Sequence, residues 1–258
     1  MNTVQPKTAI VFGGRSPIAL SCAKYLSMEQ QVFLVTRCVD SAMENLVSQM
    51  PSVSLVSADL EFPSEVGRII NEIFARGYQL SCMAFLQRYR PKTESIFSSH
   101  LAVELWSIKE ALETVKSLKS AESAIQVLVS SSPAAHKVLD DQDLSYHIVK
   151  AGQEALVRYY AVLLAERNIS INAIRIGSVV LKERAMSYWN SIPHTVGKLK
   201  DLTPTRRLLT SDEVGLIFAK MLLSQIPGIT GQVFSADNGF ELMDSIQIVK
   251  RRLDVENQ

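Results

Sequence analysis

Short apolar runs alternate with longer amphipathic segments along almost the whole chain, and this pattern limits the folds open to it. The runs at about Ala9–Phe12, Val32–Thr36, Val53–Ser57, Leu80–Leu86, Ile125–Ser130, Ile171–Ile176 and Gln232–Ser235 are rich in Val and Ile. Most are apolar at successive positions, as strands covered on both faces require. Helical patterns lie between them at Ile18–Ser27, Ser41–Met50, Glu65–Arg76, Ile96–Lys119, Tyr146–Arg167 and Asp212–Ser224. Strand–helix alternation implies βαβ units with right-handed crossovers, hence an α/β fold with a doubly wound parallel sheet of about seven strands flanked by helices. Neither a linker nor an internal repeat divides the chain, so residues 1–258 read as a single domain. Only the stretch Lys182–Arg207 breaks the alternation, and it reads as a substrate loop.

Composition closes off other classes. The formal net charge is +1, from 27 Lys+Arg against 26 Asp+Glu, so no bulk charge draws the chain to nucleic acid or an anionic membrane. Cys22, Cys38 and Cys82 are odd in number and scattered. They fit neither a disulfide framework nor a metal site and point to the cytoplasm. No apolar run approaches the ~20 residues of a membrane span, and no signal peptide is legible.

The first strand enters Gly13-Gly14-Arg15-Ser16-Pro17-Ile18-Ala19 and then a helix. In a doubly wound sheet this turn is the diphosphate site of a dinucleotide: glycines permit close backbone approach, and the helix N-terminus attracts the anion. Pro17 suits a first helical turn. Arg37 follows the second strand, where an acidic residue would bind the ribose 2′-hydroxyl of NAD and an arginine accommodates a 2′-phosphate. With Arg15 nearby and Asp40 three residues beyond Arg37, the sequence favours NADPH/NADP over NAD.

Tyr146 and Lys150, four apart, share a helix face, with Ser145 read as the N-cap. A phenol with a solution pKa of about 10 needs a neighbouring cation to exchange protons near neutrality. The pair therefore suits general acid–base work on a carbonyl or alcohol. Upstream, Ser130-Ser131-Ser132 ends a central strand, where a hydroxyl meets ligand.

Together these segments resemble the short-chain dehydrogenase/reductase family over nearly the whole chain, in its compact, ketoreductase-like branch. The resemblance implies a Rossmann-type fold. Gly13, Gly14 and the turn through Ala19 are similar to the family's glycine-rich turn, and Asp59-Leu60 to its adenine-contacting pair. Ser131, Tyr146 and Lys150 are similar to its catalytic residues. Residues 171–179, INAIRIGSV, are similar to a segment that reaches the nicotinamide. The stretches Arg207–Val214, Ile229–Val233 and Asp237–Gly239 are similar to its C-terminal motifs.

By resemblance, the catalytic residues are Ser131, Tyr146, Lys150 and His100, and Ser132 is an alternative to Ser131. Without gaps, His100 falls where the family has an asparagine. The cofactor would meet Gly13, Gly14, Arg15, Ser16, Ile18, Arg37, Asp59, Leu60, Phe85, Lys150, Ile176, Gly177 and Val179. The implied activity is NADPH-dependent reduction of a carbonyl, such as that of a small-molecule or carrier-bound β-ketoacyl thioester, by a homotetramer or homodimer. Phe12, Pro17, Ala19 and Phe85-Leu86-Gln87-Arg88 depart from the family pattern. They keep open a non-catalytic binding subunit, or an enoyl reductase.

Overall fold

The computed structural model describes residues 6–50, 52–90, 96–118, 124–177, 180–181, 191 and 195–256. All seven expected strands form: β1 (Lys7–Phe12), β2 (Gln31–Thr36), β3 (Val53–Ser57), β4 (Gln79–Phe85), β5 (Ile125–Ser131), β6 (Ile169–Ile176) and, after two short strands, β9 (Val233–Ala236). They make one parallel sheet in the order β3-β2-β1-β4-β5-β6-β9. The short strands β7 (Val180–Leu181) and β8 (Leu209–Thr210) pair with each other in parallel.

The two-residue period of a strand explains why the central runs are apolar at successive positions. Ile10 and Phe12 enter one core with Met83, Val127 and Val129. Ala9 and Val11 enter the other, with Ala84 and Leu128. The first core is closed by helices α3 (Ser64–Ala75), α5 (Ser107–Ser117) and α6 (Leu144–Leu164). The second is closed by α1 (Pro17–Leu26), α2 (Ser41–Ser48) and the helix Ser211–Ser224. The strand order reverses between β1 and β4, so the crevice at their carboxyl ends is where this architecture binds ligands.

Two helical details differ from the sequence expectation. The segment Ile96–Lys119 is not one regular helix. It runs as α4 (Phe97–Leu101), a π-helical turn Ala102–Trp106, and α5. Side chains from elsewhere take up carbonyls of the widened turn: Gln153 Nε2 donates to the Glu104 carbonyl at 2.7 Å, and Gln87 Nε2 to that of Val103 at 3.3 Å. Insertion of donors into the helical ladder is a recognised cause of such turns. The N-cap of α6 is Asp143, not Ser145; its carboxylate accepts from the Tyr146 amide at 3.1 Å and from the Ser145 hydroxyl.

Of the stretch Lys182–Arg207, residues 182–190 and 192–194 lie outside the described residues; a helix covers Thr195–Leu202. Among the described residues, no helix is long and apolar enough to cross a membrane.

Candidate active site

The start of α6 lies against the carboxyl end of β5. Asp143 fixes the first turn, which sets Tyr146 one turn ahead of Lys150. Both side chains are buried, and Lys150 Nζ is 5.4 Å from the centre of the Tyr146 ring. The expected pair is therefore brought together.

Lys150 does not stand alone. Its ammonium is 3.0 Å from Glu104 Oε2 and donates to Gln153 Oε1 at 3.0 Å and to the Ser130 carbonyl at 3.2 Å. Glu104 comes from the π-helical turn and is fully buried. Its Oε2 meets the Lys150 ammonium as a buried ion pair. Its Oε1 accepts from the Tyr89 amide at 2.9 Å and is 3.6 Å from His100 Nδ1. Burial by itself pushes the Glu104 carboxyl up. The Lys150 charge, His100 and the Tyr89 N–H outweigh it and hold the group below its ordinary range. Thus Glu104, rather than His100, faces Lys150 from this helix. His100 is buried behind that carboxylate, edge-on to the Tyr89 ring.

The serines separate in the same way. Ser131 Oγ donates to Glu154 Oε1 at 2.7 Å. Glu154 also accepts from Arg175 Nε and Nη2, each at 2.7 Å, a two-pronged pair between α6 and β6. Burial would raise the Glu154 carboxyl, but Arg175 and Ser131 reverse this and lower it. The Ser131 hydroxyl proton is committed to that carboxylate. Ser132 Oγ accepts from the Ala134 amide at 3.3 Å, so its own proton stays available to donate.

Above the tyrosine lies Arg88, from the loop after β4. Its guanidinium carbon is 4.2 Å from the Tyr146 ring centre, and it donates to Gln142 Oε1 at 2.5 Å. Next to Tyr146, His147 accepts from the Leu139 amide on Nε2 and faces the Asp143 carbonyl through Nδ1, both at 2.9 Å. A neutral ring with its proton on Nδ1 satisfies both contacts.

At the glycine turn, Gly13 has φ +94°, and a Cβ there would meet the Leu86–Gln87 backbone at 2.7 Å. Gly14 is tight against Leu34 and Thr36. Both amides donate to the Val35 carbonyl, at 3.1 and 2.9 Å, so these glycines pack the crevice rather than present N–H groups to it. What fits a diphosphate is the start of α1. Ser16 caps it with no side-chain bond, the first turn has no acidic residue, and the Ile18 and Ala19 amides have no preceding helical acceptor.

The arginines expected at the 2′-phosphate already have carboxylate partners. Arg15 pairs with Asp40, which also caps α2, and Arg37 Nη1 is 3.7 Å from Glu61. Asp59 accepts from the Glu61 amide at 3.1 Å, and Leu60 is buried beside it. Phe85 is core: it is 1% exposed, and its ring stacks on Phe12 at 4.7 Å. Ile176 ends β6 and Gly177 follows it, both half-buried, with Gly177 pressed on Asp237. Val179 lies outside the described residues.

Sequence reasoning missed Glu104, Glu154 and Arg88. The two carboxylates had a signal, because each falls on a stripe of apolar residues. Glu104 stands in register with Ile108, Ala111, Leu112 and Val115, and Glu154 with Val157, Tyr160, Ala161 and Leu164. A charge on a buried stripe requires a buried partner.

A doubly wound parallel sheet with a tyrosine–lysine pair at the carboxyl edge of its central strands defines a nicotinamide-dependent oxidoreductase class. A family model described as "Enoyl-(Acyl carrier protein) reductase" matches residues 13–241. The chain belongs to that family, part of the short-chain dehydrogenases/reductases. It is 24% identical over 214 residues to an enoyl-[acyl-carrier-protein] reductase [NADH] from Synechocystis sp., covering 79% of this chain and 81% of that protein. A second such enzyme, from Rhizobium meliloti, is 23% identical over 245 residues, covering 87% of each. Among solved structures, ElxO with NADP bound matches at a TM-score of 0.78 with 19% identity, covering 93% of this chain and 100% of that one. A 3-oxoacyl-[acyl-carrier protein] reductase from Brucella melitensis in complex with NAD matches at 0.76 with 20% identity, covering 94% and 100%.

Proposed function

We propose that this chain, acting over residues 1–258 as one dinucleotide-binding and catalytic domain, reduces the carbonyl of a β-ketoacyl thioester or related ketone to an alcohol. The observation that carries this reading is the placement of Tyr146 and Lys150 one turn apart at the carboxyl end of β5. When bound, the nicotinamide supplies a hydride to the carbonyl carbon. Tyr146 breaks its O–H bond and gives that proton to the substrate oxygen. Ser132, which keeps a free donor, holds the carbonyl; Ser131 orients Glu154 and the strand end. Lys150 and His100 act from behind through the Glu104 cluster.

The dinucleotide would lie with its diphosphate at Gly13, Gly14, Arg15, Ser16 and Ile18. Its adenosine would lie near Arg37, Asp59 and Leu60, and its nicotinamide near Ile176, Gly177 and Val179. NADPH is preferred because Arg15 and Arg37 can exchange Asp40 and Glu61 for a 2′-phosphate, and because those ion pairs are exposed and therefore weak. Residues 182–207 would select the substrate. We place the protein in the cytoplasm as a homotetramer or homodimer. Leu144, Ile148, Tyr159 and Val162 leave an apolar stripe of α6 exposed for a second copy, and sedimentation as a monomer would remove that assembly.

A second reading, reduction of an enoyl thioester, is favoured by the family model and by the Synechocystis relative. The commitment of Ser131 to Glu154 also lends it weight. One assay separates the two: oxidation of NADPH and of NADH with a 3-oxoacyl and with a trans-2-enoyl thioester. Turnover of the 3-oxoacyl substrate with NADPH, lost by orders of magnitude in Tyr146→Phe, supports the proposal. Turnover of the enoyl substrate alone replaces it with the second reading.

A further inference from the structure

The tyrosine of such a site needs a positive charge beside it, because a phenolate oxygen left in a poorly solvated crevice is costly. By sequence, Lys150 is the source. In the structure the Lys150 charge is opposed at 3.0 Å by the fully buried Glu104 carboxylate, and its other two contacts are the oxygens of Gln153 and Ser130. Seen from Tyr146, Lys150 and Glu104 form a pair of zero net charge.

Arg88 is the opposite case. Its guanidinium is closer to the ring than Lys150 Nζ, 4.2 Å against 5.4 Å, and its hydrogen-bond partner is the neutral amide of Gln142. No carboxylate among the described residues lies within ion-pair distance of it. A guanidinium stays charged throughout the working pH range and favours an aromatic face.

We propose that Arg88 supplies the positive charge that stabilises Tyr146 as its proton leaves, while Glu104 reduces Lys150 to a positioning residue. This rests on Tyr146 being the proton donor of the proposed reaction. The step is a simple proton transfer: the Tyr146 O–H bond breaks, the substrate O–H bond forms, and the phenolate charge is met by the guanidinium. Among the described residues, the other charged or titratable groups seen around Tyr146 are Lys150 and His147 on α6, Asp143 at its N-cap, and Glu104 and His100 behind Lys150. None of them places an uncompensated cation at the ring.

The test needs no turnover. Tyrosinate absorbance of the whole protein without cofactor, minus that of Tyr146→Phe, isolates the ionisation of Tyr146. In Arg88→Gln the midpoint should rise by about half a unit to one unit, a three- to ten-fold change in the equilibrium; in Arg88→Lys it should rise less. Arg88 is exposed, so neither variant threatens the core. Glu104→Gln, which frees the Lys150 charge, should lower the midpoint. An unchanged midpoint in Arg88→Gln overturns the proposal, and so does a Glu104→Gln midpoint that stays put or rises. If Arg88→Gln shifts the midpoint but Tyr146→Phe still turns over thioesters normally, the charge assignment survives and the proposed reaction fails.

Discussion

Replacing Glu104 by leucine removes one half of a buried ion pair and leaves the other half in place. Glu104 is 0% exposed and Lys150 3% exposed. Breaking such a pair from one side costs roughly 3–5 kcal/mol, because the remaining charge stays buried without compensation. For a domain of this size that corresponds to a drop in Tm of about 6–20 °C. Adding Lys150→Met to Glu104→Leu should restore much of the loss, since an apolar pair of similar volume replaces both charges. It should not restore all, because Gln153 Oε1, the Ser130 carbonyl and the Tyr89 amide lose partners. Urea unfolding followed by circular dichroism, run as a double-mutant cycle, should give a coupling of about 2–3 kcal/mol. The pH dependence adds a second signature. The folded Glu104 carboxyl titrates below its ordinary value, so its contribution is fully present above the ordinary carboxylate range and is lost as pH falls through the folded value. The wild type should therefore lose more stability on the acid side than the double variant, which keeps only the losses carried by Glu154 and the other depressed carboxylates. A single-variant loss under ~1 kcal/mol, or a double variant no more stable than Glu104→Leu, would refute the claim that the pair is buried and coupled.

Other parts of the site give sharper contrasts. Gly13→Ala forces a Cβ onto the Leu86–Gln87 backbone at positive φ and should destabilise by about 1–3 kcal/mol or more, read by the same unfolding assay. Ser132→Ala should lower kcat by roughly 10²-fold if Ser132 holds the substrate oxygen. Ser131→Ala should instead act mainly on stability, by ~1–3 kcal/mol, through Glu154; the reverse ranking would restore Ser131 as the carbonyl donor. Arg37→Glu should weaken NADPH binding about tenfold or more while sparing NADH, measured by fluorescence titration, and equal loss of both would remove Arg37 from the 2′-phosphate site.

The strands were legible because burial on both faces leaves little room for ambiguity: Ala9 and Val11 serve one core, Ile10 and Phe12 the other. The tyrosine–lysine pair was legible because a four-residue spacing is a local property of a helix. The π-helical turn was not, because what supports it is tertiary: its freed carbonyls are taken by Gln87 from the loop after β4 and by Gln153 from α6. The cap of α6 was misread for a related reason. Asp143 and Ser145 are both good caps, and nothing local decides which one the chain turns on.

Charge distribution explains why the site differs from the one the family resemblance implies. A family pattern locates residue types at positions, but the electrostatics of Tyr146 depend on which charges remain after pairing. Glu104 cancels Lys150 and Glu154 cancels Arg175. Both carboxylates occupy buried helix stripes where an apolar residue would have been the ordinary choice, so each needs the cation it meets. These two pairings take the buried Lys150 and the half-buried Arg175 out of the electrostatic balance around Tyr146 and Ser131. The charge left near the phenol is the exposed one, on Arg88, and solvent screens it more than a buried lysine. The site should therefore be more sensitive to ionic strength than one driven by Lys150. Raising salt from about 0.05 to 0.5 M should move the Tyr146 ionisation midpoint upward in the wild type and leave it nearly still in Arg88→Gln. A salt response of equal size in both would return the charge to the buried lysine.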